Sequence, residues 1–527
     1  MPQPYCPFEG MDIRSLIDEQ AARRADEPFL VWEPFEGEGR TWSYSAFAQT
    51  LRRFAAGLHA RGVRVGDRVL VHLENCPESV IAWLGCAYAG AVAVTTNAKS
   101  TQDELAYFAR HSAAVGGITQ PKFTRLLAEA APQLPWRVTT ETDNGAPATP
   151  TAAKPFEPFS AIDGDPASLP ARPHDPWAHF GIQFSSGTTS RPKAVLLTHG
   201  NALWGARLSA EHEDLRSDDV YLVHLPLFHI NAQVYSVLAS LWVGARVVLM
   251  PRFSASRFWP ISLKHGATWT SVVPFCVRAL MEQPKPERHS YRFWGNGYCE
   301  PPSDEYFGVK TIGWWGMTET VTHGTIGSAH RKDASNSMGR PAAGYDVYVL
   351  DAAGNPVQPG EVGDLYIKGR RGLSLFLEYA GDPEATAAAF RKDGLFITGD
   401  RVKVGQDGYL YFADRAKDML KVGGENVAAS EIEQAIVMVP GVVEVAVVAK
   451  KHPMLDEVPV AFVLAASDRS NELVDRIAAH CAQKLAPFKQ PHQIRIVDKL
   501  PRSTLEKIAK AELRAQLASE ADASSSA

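Results

Sequence analysis

Strand-length apolar runs alternate with helical apolar spacing along the first two-thirds of this chain, and that alternation is its strongest constraint. Ser45 to Ala60 carries Phe47, Leu51, Phe54 and Leu58 three and four residues apart, the spacing of a helix with one buried face. Arg68 to Leu73, after the turn at Gly66-Asp67, reads as a strand. The uncharged run from Val80 to Val94 is too short to span a bilayer and is broken at Gly90. It reads as a buried helix after Pro77 followed by a short strand. Alternating β and α units bury their apolar faces as a sheet covered by helices on both sides, so the expected fold class is α/β. At 527 residues the chain exceeds the roughly 250–300 residues that one core serves, so at least two domains are expected.

The alternation is interrupted twice. From Asp143 to Pro176 the composition turns to Pro, Ala, Ser and Asp, with eight prolines from Pro147 onward, and this reads as a surface excursion because βα patterning resumes directly after it. From Tyr345 the pattern becomes short alternating strands between Gly/Asp turns: Tyr345-Asp-Val-Tyr-Val-Leu, Gly363-Asp-Leu-Tyr-Ile-Lys and Gly408-Tyr-Leu-Tyr-Phe. After Asp414 βα spacing returns, with a helix from Ser430 to Met438 capped by Ser430, a strand from Val442 to Val448 and a helix from Asn471 to Leu485. The expected organisation is a large N-terminal domain over 1–414, made of βα-layered subdomains plus a β-rich subdomain. A hinge at 415–417 leads to a small mobile α+β C-terminal domain over 418–517, and an Ala/Ser-rich tail at 518–527 reads as disordered.

Composition removes several function classes. A net charge of −5 gives no electrostatic case for a nucleic acid or an anionic membrane as partner. The six cysteines form neither a Cys-x-x-Cys pair nor a Cys/His cluster, which argues against structural zinc and disulfides and suits a reducing cytoplasm. The start, Met-Pro-Gln-Pro-Tyr-Cys, lacks the basic and apolar regions of a signal peptide.

The segment richest in chemistry is Gln183-Phe-Ser-Ser-Gly-Thr-Thr-Ser-Arg-Pro-Lys193, flanked by strand-like apolar residues on both sides. Five hydroxyls (Ser185, Ser186, Thr188, Thr189 and Ser190) surround Gly187, with Lys193 beyond them. Glycine lets backbone amides approach a phosphate, hydroxyls donate, and the lysine adds charge. The Gly-Lys-Ser/Thr ending of a Walker A loop is missing, and a flexible polar hairpin is the competing reading.

Four further segments follow in a fixed order: Trp315-Gly316-Met317-Thr318-Glu319, Thr398-Gly-Asp400 with Arg415, Asp414-Arg-Ala-Lys417-Asp with Gly423-Gly424-Glu425-Asn426, and Pro501-Arg-Ser-Thr-Leu-Glu-Lys507. Together with the hydroxyl-rich loop they resemble the acyl-adenylate-forming superfamily of acyl-CoA synthetases, carrier-protein adenylation domains and beetle luciferases, from Ile13 to about Leu513. The resemblance implies ATP, coenzyme A and Mg²⁺ as the small molecules bound. It implies that Ser185, Ser186, Gly187, Thr188, Thr189 and Lys193 hold the triphosphate, that Trp315 stacks on adenine beside Gly316 and Met317, and that Thr318 contacts phosphate. Glu319 would ligate the Mg²⁺, Asp400 and Arg415 would take the ribose, and Lys417 would be the hinge. Gly423, Gly424 and Glu425 would line the thiol tunnel, and Lys507 would bridge the attacking carboxylate and the α-phosphate. His229, in Pro226-Leu-Phe-His229, matches a position that gates acid and thiol access; a buried histidine bonded to a backbone carbonyl is the plainer alternative.

Three positions depart from the family pattern. Trp315 stands where tyrosine is usual, and Glu506 stands before Lys507 where glycine is usual. Trp294-Gly295-Asn296-Gly297-Tyr298 replaces a run of small residues; Gly295, Asn296 and Gly297 are carried as adenine-edge candidates, while Trp294 and Tyr298 could shape the acid pocket.

The function implied is an ATP-dependent, AMP-forming acyl-CoA ligase, with carrier-protein loading or a non-catalytic nucleotide-binding relative as alternatives. The stretches around Pro226–His229, Phe258-Trp259 and Arg278–Pro284 look most like bacterial ligases of the carnitine/crotonobetaine type, which implies a small or medium polar acid. Trp204, Trp294 and Trp314 could stack on a quaternary ammonium; Arg207, Arg278 and His323 could instead pair a second anionic group. Cytoplasmic location is expected, and a homodimer is one assembly open to the chain.

Overall fold

The computed structural model describes residues 5–149, 155–185, 192–415, 418–422, 425–452, 454–466, 471–485, 487–502 and 508–525. The chain divides into two compact units. One holds Met1–Ser185, Lys193–Val347 and Ile367–Phe396; the other holds Tyr348–Tyr366 and Ile397–Ala527.

In the first unit the βα alternation produces two large sheets. One has a parallel core of Pro28–Trp32, Arg246–Leu249, Val220–Val223, Trp269–Ser271, Phe293–Asn296 and Lys310–Trp315, adjacent in that order. The antiparallel strands Arg40–Ser43 at one edge and Thr325–Ile326 with Arg340–Pro341 at the other extend it to nine. The other sheet runs parallel from His179–Ser185 through Val92–Thr95, Arg68–His72, Gly116–Thr119 and Arg137–Thr139 to Phe156–Pro158. Lys193–Thr198 and Glu378–Tyr379 add to it antiparallel. The Pro-rich excursion is therefore not wholly surface, because Phe156–Pro158 forms a sheet edge with Phe156 buried.

The helix Pro77–Ala89 shows why the uncharged run folds inward. Pro77 occupies the first turn, where its missing N–H costs nothing, and Gly90 ends the helix at φ 82°. Every residue from Pro77 to Tyr88 is buried, so both faces are covered and no polar stripe is needed.

A four-stranded sheet follows, Asp346–Leu350, Val362–Lys368, Phe396–Val404 and Leu410–Arg415, as the Gly/Asp-punctuated strands anticipate. The last sheet pairs Glu425–Ala428, Met419–Val422, Asp456–Ala465 and Val442–His452, with Gln493–Val497 joining Asp456–Ala465. Its core packs Leu420, Val447, Val463 and Ala461 against Ile432 and Ile477 of the helices Ala429–Val437 and Asn471–Lys484.

Two local expectations are corrected here. Ser430 is not the N-cap: the helix starts at Ala429 after Ala428, and the Ser430 hydroxyl instead donates to the Ala413 carbonyl. The stretch from Ala518 to Ser525 belongs to the helix Lys510–Ser525, since Ala-rich sequence is as good for a helix as for a tail.

Candidate functional site

The carboxyl ends of parallel strands carry the candidate residues, the edge where open α/β sheets bind ligands. Phe293–Asn296 ends at Gly295 and Asn296, with Gly297 following; Lys310–Trp315 delivers Trp315 and the Gly316–Glu319 turn. Gly295 is required by its neighbour, since a Cβ there would lie 1.6 Å from the Trp314 ring. Gly316 is just as confined, with the Tyr235 hydroxyl 2.5 Å and the Thr322 carbonyl oxygen 2.9 Å from where a Cβ would sit. Asn296 is buried and turns its Oδ1 back to accept from the Gly297 N–H at 2.6 Å.

After Trp315 the chain reverses through a strained turn. Thr318–Thr320 forms one 3₁₀ turn, and Val321 then adopts φ 67° and ψ −48°, left-handed backbone that a β-branched residue rarely accepts. The Thr322 N–H closes the turn on the Thr320 carbonyl at 2.6 Å. This sharp reversal holds Thr318 and Glu319 at the strand end.

Glu319 is buried, and its Oε1 accepts from the Tyr379 hydroxyl at 2.9 Å. The Lys193 ammonium lies 4.6 Å from the centroid of the same Tyr379 ring. Tyr379 reaches this position because Glu378–Tyr379 pairs with Lys193–Thr198, Tyr379 opposite Val195. Burial and the Glu319 charge both push the Tyr379 hydroxyl above its ordinary pKa, so it remains a donor. Lys193 itself opens its strand and is register partner of Ser185, which closes the preceding one. The hydroxyl-rich loop thus joins the two strands of an antiparallel pair. Ser186, Gly187, Thr188 and Thr189 lie outside the described residues, as do Lys417, Gly423, Gly424 and Lys507.

His229 is half-buried and follows a loop pinned by two side chains, Asn75 and Gln233. Asn75 accepts from the Leu227 N–H at 2.8 Å and donates to the carbonyls of Leu225 (2.9 Å) and Met250 (3.2 Å). The Gln233 amide donates to the Leu227 carbonyl (2.7 Å) and Thr95 Oγ1 (3.2 Å) and accepts from the Gln183 amide (2.6 Å). Gln233 sits in an eight-residue π-helix, Asn231–Leu238, a rare form that is frequent at functional sites. One side chain thereby ties the His229 loop to the strand that leads into Ser185.

In the other unit, antiparallel pairing makes Asp400 and Arg415 direct register partners. The Thr398 hydroxyl donates to the Leu365 carbonyl at 2.7 Å and accepts from the Asp400 N–H at 3.1 Å, which fixes the Thr-Gly-Asp turn. Glu425 begins its strand opposite Val422.

The acid-pocket expectations fare differently. Trp294 is core, packed against Phe258, Trp259, Tyr291 and Phe307, and does not shape a pocket. Arg207 pairs with Glu211 on an exposed helix face, and Arg278 is exposed. His323 is fully buried, and burial holds its pKa well below 6.5, so it is a neutral imidazole and not an anion-binding cation. Tyr379, Gln233, Asn75 and Tyr235 do not stand out in the sequence, because none belongs to a contiguous pattern and each acts across sixty or more positions or through a helix of irregular pitch.

No group of three or more His, Cys, Asp or Glu that could hold a metal occurs among the described residues, and no helix of the described residues is long and apolar enough to cross a membrane. One carboxylate completed by phosphate oxygens remains a donor set that Mg²⁺ accepts.

Residues 17–380 match the AMP-binding enzyme family and residues 431–507 the AMP-binding enzyme C-terminal domain. The chain is 34% identical over 528 residues to a crotonobetaine/carnitine–CoA ligase of Salmonella enteritidis, covering 96% of this chain and 99% of that protein. A ligase of the same name from Escherichia coli is 35% identical over 523 residues, with the same coverage. Among solved structures, an anthranilate CoA ligase bound to anthranoyl-AMP shares the fold, with TM-score 0.87, 24% identity and 99% of each chain covered. The O-succinylbenzoate CoA synthetase of Bacillus subtilis in complex with ATP and magnesium ion gives TM-score 0.81 at 25% identity, covering 95% of this chain and 98% of that one. With both family matches in order and relatives aligned end to end, the chain belongs to the AMP-binding enzyme family, as an ATP-dependent, AMP-forming acyl-CoA ligase.

Proposed function

We propose that this ligase activates a small or medium polar carboxylic acid in two half-reactions. The acid's carboxylate oxygen attacks the α-phosphorus of ATP, the bond to the β-phosphate oxygen breaks, and pyrophosphate leaves. The coenzyme A thiol then attacks the acyl carbon, the mixed anhydride opens, AMP leaves, and the thiol proton passes to solvent. Splitting one difficult acylation into two displacements is what the adenylate achieves.

The observation that carries the reading is the Lys193–Tyr379–Glu319 cluster at the end of the Lys310–Trp315 strand. Lys193 supplies charge for the triphosphate with Ser185, Ser186, Gly187, Thr188 and Thr189, while Tyr379 orients the Glu319 carboxylate. Glu319 would hold Mg²⁺, which when bound neutralises phosphate charge; a relative crystallised with ATP and magnesium ion supports this. Trp315 stacks on adenine, Asn296 and Gly297 meet its edge, Thr318 contacts phosphate, and Asp400 with Arg415 takes the ribose hydroxyls. His229 gates entry of acid and thiol, Lys417 is the hinge of a C-terminal domain over 418–517, and Gly423, Gly424 and Glu425 line the thiol path. Lys507 neutralises charge that builds between carboxylate and α-phosphate.

Relatives named for crotonobetaine and carnitine support a polar acid. The proposal includes a cytoplasmic enzyme working on small molecules, with a homodimer as its assembly, which light scattering on the purified protein checks. Lys507→Ala is expected to lower pyrophosphate release about 1,000-fold, as for loss of a charge-stabilising group, while sparing thioester formation from supplied acyl-adenylate. Equal loss of both half-reactions would remove Lys507 from this role. Pyrophosphate release that does not depend on free coenzyme A for turnover would favour a carrier-protein acceptor.

A further inference from the structure

The turn that carries Glu319 stores backbone strain, and the side chains that impose it belong to none of the segments assigned to the nucleotide. Six non-glycine residues have a positive φ among the described ones, and Val321 alone of them is β-branched. At φ 67° and ψ −48°, closed by the 2.6 Å bond from the Thr322 N–H to the Thr320 carbonyl, it makes the rare, strained form of γ-turn. Strain of this kind persists only where the surroundings leave the chain no alternative, and it gathers at sites whose geometry matters.

Two places outside the turn impose this geometry. The Tyr345 hydroxyl donates to the Thr320 carbonyl at 2.5 Å, and burial pushes that hydroxyl above its ordinary pKa, so it stays a donor. The same carbonyl closes the γ-turn, so its oxygen is held from both sides. From the helix His199–His212, the Ser209 hydroxyl shares a 2.6 Å hydrogen bond with that of Thr322. Four residues earlier on the same helix face, Gly205 leaves room for Val321: a Cβ there would lie 3.0 Å from Val321 Cγ1. Ser209, Thr320, Val321 and Thr322 are fully buried, so water offers these polar groups no substitute partner. Glu319 itself is tied at its backbone, where the Phe376 N–H donates to its carbonyl at 2.8 Å. Its carboxylate therefore follows the course of the turn on either side of it.

We propose that Tyr345 and Ser209 are positioning residues for the adenylation half-reaction: they keep Val321 strained and thereby fix the Glu319 carboxylate for Mg²⁺. The proposal rests on the reading of Glu319 as the Mg²⁺ carboxylate. Freed of the two bonds, Val321 would relax toward negative φ, and the turn would carry Glu319 off its position. A displacement of about 1 Å is enough to cost about 100-fold in rate.

Calorimetric titration of the full-length protein with ATP, once with Mg²⁺ and once with EDTA, reads the Glu319 position without turnover. Mg²⁺ is expected to tighten ATP binding to wild type about 10-fold. Tyr345→Phe, which keeps the ring, is expected to lose most of that gain and Ser209→Ala about half, with the affinity for metal-free ATP unchanged. A merely structural role would weaken both titrations alike. In turnover, Tyr345→Phe is expected to slow acid-dependent pyrophosphate release about 10-fold and thioester formation from supplied acyl-adenylate by less than about 2-fold, since Mg²⁺ serves only the first step. Ser209→Ala carries the same readings if Tyr345→Phe does not fold. Glycine takes φ 67° at little cost, so in a Val321→Gly background Tyr345→Phe is expected to lose only about 2-fold. An equal loss in both backgrounds would show that strain plays no part and would overturn the proposal. Full retention of the Mg²⁺ gain by Tyr345→Phe and Ser209→Ala, with Glu319→Gln losing it, would overturn the positioning role alone. A gain kept by Glu319→Gln would instead remove the reading of Glu319 as the Mg²⁺ carboxylate, and the positioning role with it.

Discussion

Tyr379 joins two charges of opposite sign without neutralising either, its ring under the Lys193 ammonium and its hydroxyl on Glu319. A hydrogen bond to a buried carboxylate contributes about 1.5–3 kcal/mol. Tyr379→Phe keeps the ring and deletes that bond, so kcat/KM for MgATP is expected to fall about 10- to 100-fold alongside a loss of about 1.5–3 kcal/mol in folding stability. A Mg²⁺ titration of initial rates checks it, since the variant should need more metal to reach half its maximal rate. An unchanged Mg²⁺ requirement would detach Tyr379 from Glu319's role. At this scale the sequence was informative about chemistry and silent about support: Glu319 and Lys193 stand out by residue type, but Tyr379 is sixty positions from Glu319 and only strand pairing with Val195 brings it there.

Among elements, the π-helix Asn231–Leu238 is the one that local pattern did not foresee. Its apolar residues carry no local mark of the wider pitch, within which the Ser236 hydroxyl donates to the Asn231 carbonyl five residues back. That pitch leaves Gln233 buried in reach of Leu227, Thr95 and Gln183 at once. Gln233→Ala would strand the Gln183 amide and the Leu227 carbonyl away from water, at a cost of about 2–4 kcal/mol. Denaturant unfolding measures this, and single-turnover assays should show the thioester step slowed more than adenylate formation, because the loop bearing His229 loses its anchor. The strands and most helices were legible, since period-two and period-3.6 spacing are local properties. Ser430 was misplaced as a cap because helix ends depend on where the preceding strand releases the chain.

Across the whole molecule, buried histidines set a pH limit on stability. His72, His199 and His224 are fully buried, and burial pulls each pKa down to about 3. Their folded pKa lies below the unfolded value of 6.5, so the unfolded chain binds protons first. Their contribution is fully present above pH 6.5 and is lost as pH falls toward 3. Each loses about 1.4 kcal/mol per pH unit in that window, so the three together remove about 6 kcal/mol by pH 5. Denaturant midpoints between pH 7 and 4.5 should fall steeply, and His224→Gln should flatten the slope by about one proton. A midpoint independent of pH over this range would contradict the burial of these rings as neutral groups.

What the sequence determined by itself was the α/β class, the order of the family's segments and the reaction they serve, because these rest on local spacing and on residue types that few other chemistries need. Tertiary structure alone decided which aromatic and charged side chains meet. Trp294 became core, Arg207 stayed on an exposed face with Glu211, and His323 came to rest neutral beside Glu213, a partner more than a hundred positions away. Such pairings depend on how helices are laid against sheets, and burial then sets the charge of each group. Segments rich in hydroxyl, glycine and carboxylate residues stand out locally because phosphate chemistry calls for those residue types, whereas contacts among distant aromatic and charged side chains are written in long-range packing.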